Sequence, residues 1–140
     1  MLIKKIDHIG IAVKDLTNAL KLYTEVLNLK VMKIEEFKDL QVKVAFIPIG
    51  EALVELVQPT SNDAPLAKRI EEHNEGLYHL ALRVDNIDEA LERVKKMGIS
   101  MRDNQPRPGG MGSRIALSKP DSTNNVIIEF VERPEKEGGD

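Results

Sequence analysis

Two histidines and two glutamates stand at matched places in this chain, and together they make a donor set for a metal ion. His8 lies in Ile6-Asp7-His8-Ile9-Gly10-Ile11-Ala12-Val13, and His79 lies in Leu77-Tyr78-His79-Leu80-Ala81-Leu82-Arg83-Val84. The second segment follows the first by 71 residues (79 − 8), and the apolar residues after each, Leu16, Ala19, Leu20 and Ile87, Ala90, Leu91, keep that spacing. Glu55 is the lone carboxylate in Ala52-Leu53-Val54-Glu55-Leu56-Val57, and Glu129 is its counterpart in Val126-Ile127-Ile128-Glu129-Phe130-Val131, 74 residues on (129 − 55). Burying an unpaired carboxylate costs several kcal/mol, so something must compensate each one. Two imidazoles with two carboxylates suit an octahedral divalent ion with two positions left for water or substrate oxygens. The chain has no cysteine, which excludes thiolate ligands, a cysteine nucleophile and disulfides.

The elements that position these residues follow from periodicity. In each copy an alternating, half-buried strand leads into a helix whose apolar residues recur at three and four. On the first strand His8, Gly10 and Ala12 share a face; on the equivalent strand His79, Ala81 and Arg83 do. Arg83 is therefore placed either to approach the site or to pair with a carboxylate. Tyr23 falls on the first helix's apolar stripe and reads as core. Asn86 with Glu89 resembles a reciprocal helix cap, and Gly98 is a helix stop. Asn62 to Asn74, with Pro65 near its start, reads as a short linking helix ending at a solvated His73. Gln105-Pro106-Arg107-Pro108-Gly109-Gly110-Met111-Gly112 is too rich in proline and glycine for a regular element, and it could lie over a ligand, its Gly109-Gly110 amides open to an anion.

The expected architecture is α+β: two tandem βαβββ modules forming a cupped eight-stranded mixed sheet with helices on the outside. Module one covers about residues 5–60, the linker helix about 62–74, module two about 76–133, and a charged tail follows from 134 to 140. At 140 residues the whole is one domain. If the modules pair about a pseudo-twofold axis, His8, Glu55, His79 and Glu129 converge on one concave face. Net charge is −3 with Lys and Arg spread along the chain, which argues against nucleic acid. No apolar run approaches the ~20 residues of a membrane span, and no leader pattern precedes the first strand, so a cytoplasmic location is expected.

These motifs, with Val54-Glu55-Leu56-Val57-Gln58-Pro59 and Pro106-Arg107-Pro108-Gly109-Gly110, resemble the vicinal oxygen chelate (glyoxalase/bleomycin-resistance) superfamily from about Ile6 to Arg133. Within it the chain is similar to the methylmalonyl-CoA epimerases, to which Ser61-Asn62-Asp63-Ala64-Pro65-Leu66-Ala67-Lys68 also points. The resemblance implies that His8, Glu55, His79 and Glu129 bind one divalent metal, with Co2+ favoured and Mn2+, Ni2+ or Zn2+ as alternatives. It also implies an acyl-CoA substrate, a homodimer, and α-proton abstraction with Glu129 as base while the metal stabilises the developing enolate charge. Return of a proton on the opposite face calls for a second acid–base group. Some members carry a glutamate where this chain has Val44, which leaves Lys43, Gln41 or a metal-bound water. Lys119-Pro120-Asp121-Ser122 also departs from the His-Pro-Lys-Ser common in relatives, and Asp121 would alter contact with an anionic acyl or CoA group. The competing expectations are a glyoxalase I-type lactoylglutathione lyase, with the same four ligands, and a non-catalytic ligand-sequestering module.

Overall fold

The structure is a computed structural model that describes residues 2–134. The charged tail expected at 134–140 therefore lies outside the described residues, apart from Pro134. The chain divides into two compact units, His8–Tyr78 and Met1–Asp7 with His79–Asp140.

The unit His8–Tyr78 contains the second half of β1 (Ile3–Ala12), then α1 (Leu16–Lys21), β2 (Lys33–Phe37), β3 (Val42–Ile49), β4 (Ala52–Pro59) and α2 (Pro65–His73). β2 pairs antiparallel with β3, β3 antiparallel with β4, and β4 parallel with β1. Asp15 caps α1 by accepting from Asn18 N–H at 3.0 Å, and Gln58 Oε1 accepts a second orphan donor, Leu16 N–H, at 2.7 Å. The apolar stripe of α1 packs with Val13, Leu16, Ala45, Ile47 and Leu56, and Tyr23 joins this core as its position on the stripe predicts.

The helix departs from the regular form expected for it. After Lys21 it widens into a π-turn over Leu22–Val26, in which Leu27 N–H reaches Leu22 O at 2.9 Å. Thr24 Oγ1 turns back to Leu20 O at 2.9 Å, a bond that competes with regular helix geometry.

The second unit repeats the order with β5 (Gly76–Val84), α3 (Ile87–Lys96), β6 (Arg107–Pro108), β7 (Arg114–Leu117) and β8 (Ile127–Glu132). β5 runs parallel to β8, β8 antiparallel to β7, and β7 antiparallel to β6. Asn86 accepts from Glu89 N–H at 3.1 Å, the Asn86 half of the reciprocal cap expected, and Gly98 follows the helix at φ +87°. α3 buries Ile87, Ala90 and Leu91 against Val84, Ala116 and Phe130. The Pro/Gly-rich loop, expected to be irregular, contributes the short edge strand β6 and a 3-10 turn at Gly110–Gly112. Proline is tolerated there because an edge strand leaves part of its backbone outside the ladder.

Strand order is β2-β3-β4-β1 in the first unit and β5-β8-β7-β6 in the second, each a mixed arrangement, so the described residues carry eight strands with three helices in an α+β fold. No helix among the described residues is long and apolar enough to cross a membrane.

Candidate metal centre

In the unit His8–Tyr78 the parallel register of β1 and β4 sets Gly10 opposite Glu55 and His8 opposite Leu53. The glutamate thus lies diagonally beside the histidine on the same face, and His8 Nδ1 comes within 3.2 Å of Glu55 Oε2. The second unit repeats the arrangement: Ala81 stands opposite Glu129, His79 opposite Ile127, and His79 Nε2 lies 3.7 Å from Glu129 Oε1. All four residues are buried. Each lone carboxylate therefore meets an imidazole, the compensation that its place in an apolar strand demands.

The spacing fits ligation of an ion. Two N or O ligands at about 2.1 Å from a metal are roughly 3 Å apart when at right angles and roughly 4.2 Å apart when opposite. The two pairs fall at 3.2 and 3.7 Å. Each pair thus offers one imidazole nitrogen and one carboxylate oxygen to an ion. An all-nitrogen-and-oxygen set of this kind suits first-row divalent ions.

Arg83 settles on the second of its two expected roles. Its Nε donates to Asp7 Oδ2 at 2.9 Å, and Arg133 grips the same carboxylate with Nη2 on Oδ1 at 2.6 Å and Nε on Oδ2 at 3.1 Å. Arg133 Nη1 also donates to the Gly110 carbonyl at 3.1 Å, which ties the Pro/Gly loop to the end of β8. The Asp7 side chain has no solvent exposure, so the two guanidiniums supply the charge that burial would otherwise leave unbalanced. Sequence reading missed Asp7 and Arg133 as partners, since 126 positions separate them.

The loop itself is held close. A Cβ on Gly109 would lie 2.6 Å from Ile115 Cγ2 and 2.7 Å from Ser113 Oγ, while its N–H donates to Ser113 O at 2.9 Å. Gly109→Ala is expected to push these neighbours apart and cost about 1–3 kcal/mol, read as a lower denaturation midpoint. An unchanged midpoint would mean that the loop absorbs the methyl group freely.

The other residues singled out from sequence lie away from the histidines' face or in solvent. His73 ends α2, exposed, 3.8 Å from an exposed Glu72 carboxylate. Lys43 is exposed and alternates away from the face that carries Glu55, whereas Val44 is buried on that face. Gln41 takes a left-handed turn at φ 55° and accepts from Ser61 Oγ at 2.8 Å. Lys119 and Asp121 are exposed at a 3-10 turn over Pro120–Ser122.

Known proteins share this fold. The model of the glyoxalase/bleomycin resistance protein/dioxygenase superfamily matches residues 7–117. The chain belongs to that superfamily. Among solved structures, hypothetical protein BH1468 from Bacillus halodurans superposes with a TM-score of 0.90 at 39% identity, covering 95% of this chain and 96% of that one. A single-residue variant of Streptomyces coelicolor methylmalonyl-CoA epimerase, in complex with 2-nitronate-propionyl-CoA, gives 0.91 at 28% identity, covering 97% and 99%. The lactoylglutathione lyase of Salmonella typhimurium is 30% identical over 129 residues, 87% of this chain and 90% of the lyase. The chain is thus similar to enzymes of this superfamily, methylmalonyl-CoA epimerases among them.

Proposed function

We propose that this protein is a metal-dependent epimerase that interconverts (R)- and (S)-methylmalonyl-CoA. The observation that carries the proposal is the duplicated histidine–carboxylate pair at one register, in a chain whose fold matches a methylmalonyl-CoA epimerase over nearly its full length. His8, Glu55, His79 and Glu129 would hold one divalent ion, cobalt being the first choice, which when bound would supply positive charge favouring loss of the acidic proton between a thioester and a carboxylate.

The chain's own groups do the rest. Glu129, buried beside His79, takes the α-proton. The homodimer and cytoplasmic location expected from sequence belong to the same proposal.

A second reading, the lactoylglutathione lyase, is favoured by the 30% identity with the Salmonella enzyme and would use the same donors. Deuterium incorporation from heavy water into methylmalonyl-CoA, followed by mass spectrometry, separates the two. Cobalt-loaded protein is expected to wash deuterium into the α-carbon and the chelated protein to lose that ability. Absence of exchange at full metal occupancy, with turnover of the glutathione hemithioacetal, would assign the lyase instead.

A further inference from the structure

Epimerisation needs a second proton carrier, and on the epimerase reading above its location follows from strand register in the unit His8–Tyr78. Side chains that share the face of His8 and Glu55 are found by alternation and by their cross-strand partners. On β1 they are His8, Gly10 and Ala12, and on β4 Leu53, Glu55 and Val57. Across β3, Phe46 stands opposite Glu55 and Val44 opposite Val57. Across β2, Glu35 stands opposite Val44 and Lys33 opposite Phe46. The face of these four strands therefore carries two carboxylates, Glu55 and Glu35, and Glu55 is already placed beside His8.

Glu35 also differs physically from its neighbour Glu36. Glu36 stands opposite exposed Lys43 and faces solvent, as a charged edge strand ordinarily does. Glu35 is half-buried, and its Oε1 is withdrawn from solvent with no hydrogen bond of good geometry, although Lys33 Nζ lies 3.1 Å away. A carboxylate turned inward on an edge strand, where water was available to it, is poorly explained by solubility or by a surface ion pair worth at most about 1 kcal/mol. Val44 beside it is a short side chain, over which a glutamate from the next strand, ~4.8 Å away, can lean.

We infer that Glu35 is the second acid–base residue. In one direction Glu129 takes the α-proton, so the C–H bond breaks, an O–H bond forms and the electron pair moves toward the thioester carbonyl. Protonated Glu35 then gives its proton to the α-carbon, so its O–H bond breaks and the electron pair returns to form the new C–H bond. The reverse direction exchanges the two roles, and no oxidant or reductant is involved.

The test uses metal-loaded protein with Glu35→Gln, assayed separately on each enantiomer of methylmalonyl-CoA in heavy water. Interconversion is expected to fall by at least about 100-fold. Metal content should hold, and deuterium should still wash into one enantiomer without inversion, by way of Glu129 alone. Adding Val44→Glu to that variant sets a carboxylate on the same face one strand inward and is expected to restore interconversion. Interconversion at the wild-type rate in Glu35→Gln would overturn the assignment and leave the epimerase reading standing. Equal loss of wash-in from both enantiomers, accompanied by loss of metal, would overturn it in favour of a structural role. A wild-type protein that exchanges neither enantiomer would overturn both readings together.

Discussion

Glu129→Gln is expected to lower turnover of methylmalonyl-CoA by about 10²–10⁴-fold while leaving the fold in place. The amide is nearly the same size as the carboxylate, so the packing around Phe130 and Val131 on β8 has no reason to change. What disappears is the ability to accept a proton, together with one negative charge from the donor set. Circular dichroism and a denaturation midpoint close to wild type would document the intact fold. Near-wild-type deuterium wash-in from both enantiomers would remove Glu129 from the proposed role of base.

His8→Ala acts on the other histidine and by a different route. The loss of an imidazole ligand is expected to weaken divalent-ion binding by at least about 100-fold, more than removal of an outer hydrogen-bond partner. It also deprives buried Glu55 of the ring nitrogen 3.2 Å away, so the metal-free protein should be less stable by something on the order of 1–3 kcal/mol. Metal titration and a denaturation curve of the metal-free protein read the two effects separately. Full stoichiometry at unchanged affinity would remove His8 from the ligand set.

The pairing of one histidine with one glutamate in each module was legible in the sequence because strand alternation converts spacing into facing. A histidine that opens a module and a glutamate that closes it needed only the period of two and the repeat to be assigned to one face of that module. The cap at Asn86, the linker helix from Pro65 and the strand–helix order were legible for the same local reason.

The rest required cross-strand information. Lys33-Ile34-Glu35-Glu36-Phe37 offers no indication which glutamate turns inward until β2 is set in register against β3. The π-turn at Leu22–Val26 keeps Tyr23 on the apolar stripe, so the hydrophobic pattern passes over it unchanged. β6 hides in a Pro-Arg-Pro-Gly stretch whose propensities all argue for a loop. The Asp7 pairing with Arg83 and Arg133 is a long-range event with no local signature at all.

The boundary between the two units falls just before each histidine, after Asp7 and after Tyr78, and this bears on how the chain acquires its structure during synthesis. His8–Tyr78 is one contiguous stretch, so its internal pairings can form as soon as it leaves the ribosome. The other unit is discontinuous: Ile3–Asp7 emerges first and must wait for β8 and Arg133, at the far end of the chain, before Asp7 meets its second guanidinium. Closing so long a loop carries a large entropic cost. A halted translation product that ends in the linker helix would therefore hold one complete unit, with the short segment Ile3-Lys4-Lys5-Ile6-Asp7 at its front still without the partners of Asp7.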